Sequence, residues 1–209
     1  MRYRLAIFDL DGTLADSFPW FLRVVNSVAR EYGFREIASG EVDALRRASS
    51  REIIKRLDVP LWKLPAIARR MRVLKRASID GIPLFPGVDR MLRTLADNGI
   101  KLALVSSDSE DNARRQLGEA NTALFHHFAC GASLFGKAAK FKSVLRRAGV
   151  EPAQAIAIGD EIRDIEAARA SGIACGAVAW GYADIEALRA RRPDELFATI
   201  DDIAVRFQA

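Results

Sequence analysis

Residues 6–17 read AIFDLDGTLADS, a short apolar run that ends at Asp9, followed by a second acid at Asp11 and then an Asp-Gly turn. An apolar run of this length, with no polar face, is typical of a buried parallel strand. In open parallel sheets, ligands bind beyond the carboxyl ends of the strands. The stretch therefore predicts a first strand over Tyr3–Phe8 with two carboxylates at its functional end.

Similar apolar runs recur along the chain, with helical patterns between them. The further predicted strands are Lys101–Val105, Phe128–Cys130, Ala155–Ile158 and Ile173–Trp180, and the helices are Val88–Asn98, Ser109–Gly118, Ala138–Ala148 and Asp164–Ser171. Alternation of this kind predicts an α/β fold, here a Rossmann-like parallel five-stranded sheet in the order 3-2-1-4-5. We expect residues 1–15 and 83–209 to form this core.

An all-helical segment interrupts the alternation directly after the first strand. Residues 16–82 are predicted to form an inserted subdomain with helices at Phe18–Tyr32, Glu41–Leu57 and Leu61–Ser78. Residues 18–82 hold 14 Lys and Arg but seven Asp and Glu, a net charge of +7, whereas the rest of the chain carries −2. A basic surface favours anionic partners.

Three arginines near the middle of this segment are candidates for contacts with the non-reacting, anionic end of a substrate. They are Arg46, Arg47 and Arg51, which lie beside two serines. A guanidinium fork suits a carboxylate or a second phosphate better than an ammonium does. The alternative is that these arginines only solvate a helix face.

The composition of the whole chain excludes several classes of protein. Its 209 residues are half apolar and carry a net charge of +5, which predicts a soluble globular protein rather than a disordered one. No stretch approaches the length of a membrane span, and the N-terminal apolar run is too short for a signal peptide. The two cysteines, Cys130 and Cys175, suit buried thiols in a reducing cytoplasm. No nucleic-acid-binding motif is present, so we expect neither nucleic-acid nor membrane partners.

Oxygen-bearing side chains cluster after three of the predicted strands. Asp9 and Asp11 follow the first strand, Ser106 and Ser107 the second, and the GDEIRD stretch at residues 159–164 the fourth. Parallel strands deliver these residues to one rim of the sheet. Carboxylate and carbonyl oxygens are the ligands that Mg²⁺ prefers, so the rim predicts a magnesium site.

These stretches resemble the motifs of the haloacid dehalogenase superfamily. AIFDLDGTLADS resembles its first motif, LALVSS its second, the lysine of FGKAAKFKSVL its third and AIGDEIRDIEAARASGI its fourth. The inserted helices resemble a type-one cap, and PLFPGVDRML and AWGYAD resemble the phosphoglycolate phosphatase-like branch. The resemblance covers nearly the whole chain.

The resemblance implies a role for each matching residue. Asp9 would attack phosphorus, and Asp11 would act first as general acid and then as general base. The acid at position 11 implies phosphoryl transfer, since the dehalogenases lack it. Mg²⁺ would be held by Asp9, the Asp11 carbonyl and Asp160, and Asp164 would support the metal either directly or by positioning its ligands. Phosphate would be held by Ser106, the Ser107 amide and Lys137.

Some alternatives stay open at this point. Lys140 or Lys142 could take the role of Lys137, although the spacing of 23 residues to Asp160 favours Lys137. The expected function is Mg²⁺-dependent hydrolysis of a small anionic phosphorylated metabolite, of the phosphoglycolate or sugar phosphate class. The alternatives are a phosphomutase, or a catalytically idle binding or regulatory protein. The oligomeric state is open.

Overall fold

The computed structural model describes residues 3–131 and 136–208 and contains one parallel sheet within them. Its strand order is β3-β2-β1-β4-β5-β6. The strands are β1 (Leu5–Phe8), β2 (Lys101–Val105), β3 (Phe125–Ala129), β4 (Ala155–Gly159), β5 (Ala174–Val178) and β6 (Glu195–Phe197). Strand β1 lies in the middle, where Phe8 pairs with Leu104 of β2 and with Ile158 of β4. The predicted α/β class and the order of the first five strands are confirmed.

The predicted count of five strands was one short. Strand β6 has three residues, ELF, and pairs with β5 at the edge of the sheet. This strand is too short to show a periodic pattern, and only one of its three residues, Phe197, is buried. Its sequence therefore contains no apolar run that would predict a strand. Strand β3 also begins three residues before its predicted start, since His126 and His127 interrupt its apolar pattern.

Helices cover both faces of the sheet and give it two hydrophobic cores. The ten α-helices of the described residues are α1 (Phe18–Tyr32), α2 (Val42–Arg46), α3 (Ser50–Arg56), α4 (Leu64–Ser78), α5 (Val88–Asp97), α6 (Glu110–Thr122), α7 (Lys137–Ala148), α8 (Ile162–Ala170), α9 (Ile185–Ala190) and α10 (Ile200–Gln208). On β1, Ala6 and Phe8 join the core with α5, α6 and α10, whereas Leu5 and Ile7 join the core with α7, α8 and α9. This alternation follows the two-residue period of a strand.

Helices α1 to α4, between β1 and α5, are the inserted elements. The predicted helix over Glu41–Leu57 is two helices, because Ser49 caps a new one. The Ser49 hydroxyl accepts a bond from the Glu52 amide at 3.3 Å, and the Glu52 carboxylate accepts one from the Ser49 amide at 2.7 Å. This reciprocal capping box fixes the start of α3. Among the described helices, none combines the length and apolarity that crossing a bilayer requires.

Candidate active site

Three neighbouring strands end at the rim that the sequence singled out. Asp9 follows β1, Ser106 follows β2 and Asp160 follows β4. The Asp9 amide donates to the carbonyl of Ile158 at 2.9 Å, which extends the ladder between β1 and β4 by one bond. The sheet itself therefore fixes the backbone from which the first acid projects.

Three carboxylates converge at this rim. Asp9, Asp160 and Asp164 each offer an oxygen atom, and these atoms lie within 4.8 Å of one another. All three side chains are buried. Asp160 accepts bonds from the Thr13 hydroxyl at 3.0 Å and from the Tyr182 amide at 2.8 Å. These hydrogen bonds join segments that are far apart in the sequence, and they hold the Asp160 carboxylate in one position.

Lys137, at the start of α7, supplies the cation of the cluster. Its ammonium group lies 2.6 Å from Asp9 Oδ2 and also contacts Asp164 Oδ1. Lys140 instead contacts the backbone carbonyls of Ala129 and Cys130. Lys142 is exposed. Of the three lysines that the sequence left as alternatives, the fold brings Lys137 to the acids.

Burial and crowding shift the protonation of these groups. Burial raises the pKa of Asp9 to about 6, against the opposing effect of the Lys137 ammonium. Burial, together with the charges of Glu161, Asp164 and Asp9, raises the pKa of Asp160 well above its ordinary value. Burial opposes ionisation of Asp164, but Lys137 and Arg163 hold its pKa below the ordinary value. Crowded acids of this kind provide a strong electrostatic attraction for a further cation.

A buried lysine from the inserted helices also reaches the rim, and sequence analysis missed it. The ammonium group of Lys75, on α4, lies 2.6 Å from Asp11 Oδ1 and 2.9 Å from Asp108 Oδ2. Burial opposes ionisation of Asp11, but the Lys75 charge holds the pKa of this carboxyl below its usual range. The contact with Lys75 therefore favours the ionised form of Asp11, which can accept a proton.

The two predicted phosphate-binding serines lie at the end of β2. The Ser106 hydroxyl is buried and accepts a bond from the Asp108 amide at 3.1 Å. The carbonyl of Ser107 accepts a bond from Arg72 of α4 at 3.2 Å. Ser107 and Asp11 both line a cavity of about 840 Å³ between the inserted helices and the core. The structure thus brings the serines to the same rim as the acids.

The three predicted substrate arginines have separate surroundings. Arg46 donates to the Tyr182 carbonyl at 2.9 Å and to the Gly181 carbonyl at 3.1 Å. Arg47 is exposed and forms a 3.4 Å ion pair with Asp184. Arg51 lines a smaller pocket of about 240 Å³ that Lys137 and Arg163 also border. Their predicted substrate contacts stay predictions.

Glu161 forms another link between the inserted helices and the core. Its carboxylate accepts a bond from the Ser50 hydroxyl of α3 at 3.0 Å and pairs with the Arg163 guanidinium. Glu161 follows Asp160 directly, so the link lies beside the acid cluster. The inserted helices therefore contact the core at this end of the sheet through Arg46, Ser50, Arg72 and Lys75.

Comparisons with known proteins agree with this geometry. Residues 6–178 match the family model for haloacid dehalogenase-like hydrolases. The chain is 33% identical over 198 residues to a phosphoglycolate phosphatase from Synechococcus elongatus, covering 94% of this chain and 93% of that protein. It is also 33% identical over 197 residues to one from Xanthomonas campestris, covering 87% and 86%. A haloacid dehalogenase-like family hydrolase from Streptococcus pneumoniae has the same fold, with a TM-score of 0.80, 22% identity and 99% coverage of both chains.

Proposed function

The chain belongs to the haloacid dehalogenase-like hydrolases, and within this family we propose that it is a Mg²⁺-dependent phosphatase of small phosphomonoesters. The observation that carries the proposal is the contact between Lys137 and Asp9, 2.6 Å apart at the carboxyl end of the central strand. A buried carboxylate held at this rim is a nucleophile with a fixed position, and the ammonium group beside it suits an incoming phosphoryl group.

The acid cluster fits a hard divalent cation. Its donors are all carboxylate oxygens, and the pKa of Asp160 is raised by burial and by the neighbouring acids, so added positive charge would relieve the crowding. Asp9, Asp160, Asp164 and the carbonyl of Asp11 would hold the ion. Mg²⁺ bound there would supply positive charge to the phosphoryl oxygens.

We assign two chemical steps to Asp9 and Asp11. In the first, an Asp9 carboxylate oxygen bonds to phosphorus as the ester P–O bond breaks, and the leaving oxygen takes a proton from Asp11. In the second, water attacks phosphorus and gives a proton to Asp11, while the bond between Asp9 and phosphorus breaks to release inorganic phosphate. The proton that Asp11 takes from water in the second step is the one it gives to the leaving oxygen in the next turnover. The Lys75 ion pair favours the ionised form of Asp11 between the two steps.

We further propose that residues 16–82 act as a cap over the site, with residues 1–15 and 83–209 as the catalytic core. The contacts from Lys75 to Asp11 and from Ser50 to Glu161 support this division, since both cross from the helical insertion to the rim of the sheet. A closed cap would exclude bulk water from the phosphoryl group.

The names of the relatives suggest which substrates to assay first. Two proteins that are 33% identical to this chain are named phosphoglycolate phosphatases, so phosphoglycolate and sugar phosphates lead the panel. The test measures phosphate release from this panel by the purified protein, with Mg²⁺ and with EDTA, and traps the phosphorylated protein by acid quench. The expected result is phosphate release that depends on Mg²⁺, together with a trapped phosphoryl group on Asp9. No release from any compound would favour an idle binding protein, and transfer to a second hydroxyl on the substrate would favour a mutase.

A further inference from the structure

We propose that the 840 Å³ cavity binds an apolar organic group, so that this enzyme also hydrolyses phosphomonoesters of apolar alcohols much larger than glycolate. This inference rests on the phosphatase activity proposed above. Pockets of roughly 300–1,000 Å³ hold drug-sized ligands, whereas phosphoglycolate has a two-carbon organic group. The space available is therefore far more than the relatives' named substrate requires.

The cavity reaches the rim of the sheet at Asp11, the proposed general acid and base. Asp11, Ser107 and Asp108 line it at the rim of the sheet, and Tyr182 lines it from the loop after β5. An ester whose phosphorus lies beside Asp9 would therefore direct its organic group into this space. The location of the cavity beside Asp11, as well as its volume, therefore makes it a binding site for the organic group of the substrate.

The rest of the lining is made mainly of aliphatic side chains from the inserted helices. Among them are Ile53 and Ile54 of α3 and Leu64, Ile67 and Met71 of α4, all of which are half-buried. Half-buried aliphatic groups around a concave space leave apolar surface in water. An alkyl chain placed there would cover that surface, which is favourable.

The cations in the lining are mostly engaged with groups of the protein itself. Lys75 pairs with two carboxylates, Arg163 pairs with Glu161, Arg72 donates to the Ser107 carbonyl, and Arg46 donates to two core carbonyls. Arg69 is exposed. An alkyl group in the cavity would leave these contacts in place.

The experiment compares n-alkyl phosphates from ethyl to hexyl, measured by phosphate release in Mg²⁺. Their leaving alcohols have nearly equal acidity, so differences in kcat/KM report binding of the chain. Burial of one methylene group is worth about 0.8 kcal/mol, so kcat/KM should rise up to about fourfold for each added methylene. Phosphoglycolate is assayed beside the series.

Variants of α4 connect any preference to the cavity. Ile67→Ser should reduce the ratio of hexyl to ethyl phosphate kcat/KM by about three- to tenfold, because the chain loses an aliphatic contact. Ala68→Phe, which fills part of the cavity, should move the optimum to a shorter chain. The matched control is Val73→Ser, since Val73 lies on the same helix but is 55% exposed and outside the lining.

The outcomes separate this inference from the proposed phosphatase. A kcat/KM that is flat or falls along the series, while ethyl phosphate or phosphoglycolate is hydrolysed, would overturn the apolar assignment alone. The same holds if Ile67→Ser and Ala68→Phe both keep the wild-type dependence on chain length. If no ester is hydrolysed, the phosphatase proposal and this inference both fail.

Discussion

The ammonium group of Lys75 lies 2.6 Å from a carboxylate oxygen of Asp11, and through this contact a helix inserted after β1 holds a residue of the β1 loop. The same ammonium group lies 2.9 Å from Asp108 in the loop after β2. The side chains of Lys75 and Asp108 are almost fully buried. One cation thus holds together two loops of the core and the inserted helix α4.

Replacing Lys75 should lower both the stability and the activity of the protein. We expect Lys75→Met to lower the free energy of unfolding by about 3–5 kcal/mol, because it leaves two carboxylates without their buried partner. It should also lower kcat, since Asp11 loses its fixed position. Urea unfolding and steady-state kinetics measure both effects. The control is Arg76→Met on the same helix, whose 3.9 Å pair with Asp111 is exposed and should contribute less than about 1 kcal/mol.

Asp9→Asn should abolish turnover and leave the fold intact. An amide cannot attack phosphorus effectively, and loss of a nucleophile lowers kcat by several orders of magnitude. Phosphate release and circular dichroism of the purified variant measure the two properties. Asp97→Asn, at an exposed position at the end of α5, serves as the control and should behave as the wild type. Near-wild-type hydrolysis by Asp9→Asn would refute its assignment as the nucleophile.

Activity should depend strictly on a hard divalent cation. We expect EDTA to abolish phosphate release, Mg²⁺ to restore it and Ca²⁺ to fail. Mg²⁺ keeps a near-octahedral geometry, whereas Ca²⁺ takes a looser, higher coordination that would let Asp9 bind with both oxygens and prevent its attack. Titration of metal-free protein with each ion measures this. Full activity after complete removal of metal would contradict the proposed site.

The sequence predicts the sheet and its rim well because both depend on local patterns. A buried strand gives a short apolar run, and an acid directly after it marks the end of that strand, as at Asp9 and Asp160. Lys75 could not be predicted, because it lies in the basic stretch RRMRVLKR, where its partners come from loops that only the fold brings near. Strand β6 was not predicted, because a strand of three residues is too short to show the alternating pattern of apolar and polar residues.

Arg46 and Arg47 are neighbours in sequence but should differ in effect. Arg46→Ala should raise KM for every substrate by a similar factor, roughly tenfold, because two bonds that join α2 to the core carbonyls of Gly181 and Tyr182 are lost. Arg47→Ala should change KM less than about twofold, since its pair with Asp184 is exposed. Kinetics with phosphoglycolate and with p-nitrophenyl phosphate, which lacks a second anionic group, test both variants. A KM increase confined to phosphoglycolate would instead show that these arginines contact the substrate's anionic end.

Gly181→Ala should disturb the acid cluster by displacing Asp160. A β-carbon at this position would lie 2.1 Å from the β-carbon of Asp160, a distance that only a shift of backbone or of Asp160 can relieve. Such overpacking typically costs about 1–3 kcal/mol, so we expect lower thermal stability, weaker Mg²⁺ activation and at least a tenfold loss of kcat. The matched control is Gly40→Ala, because a β-carbon there meets nothing within 4 Å. Wild-type Mg²⁺ dependence and kcat in Gly181→Ala would contradict this prediction.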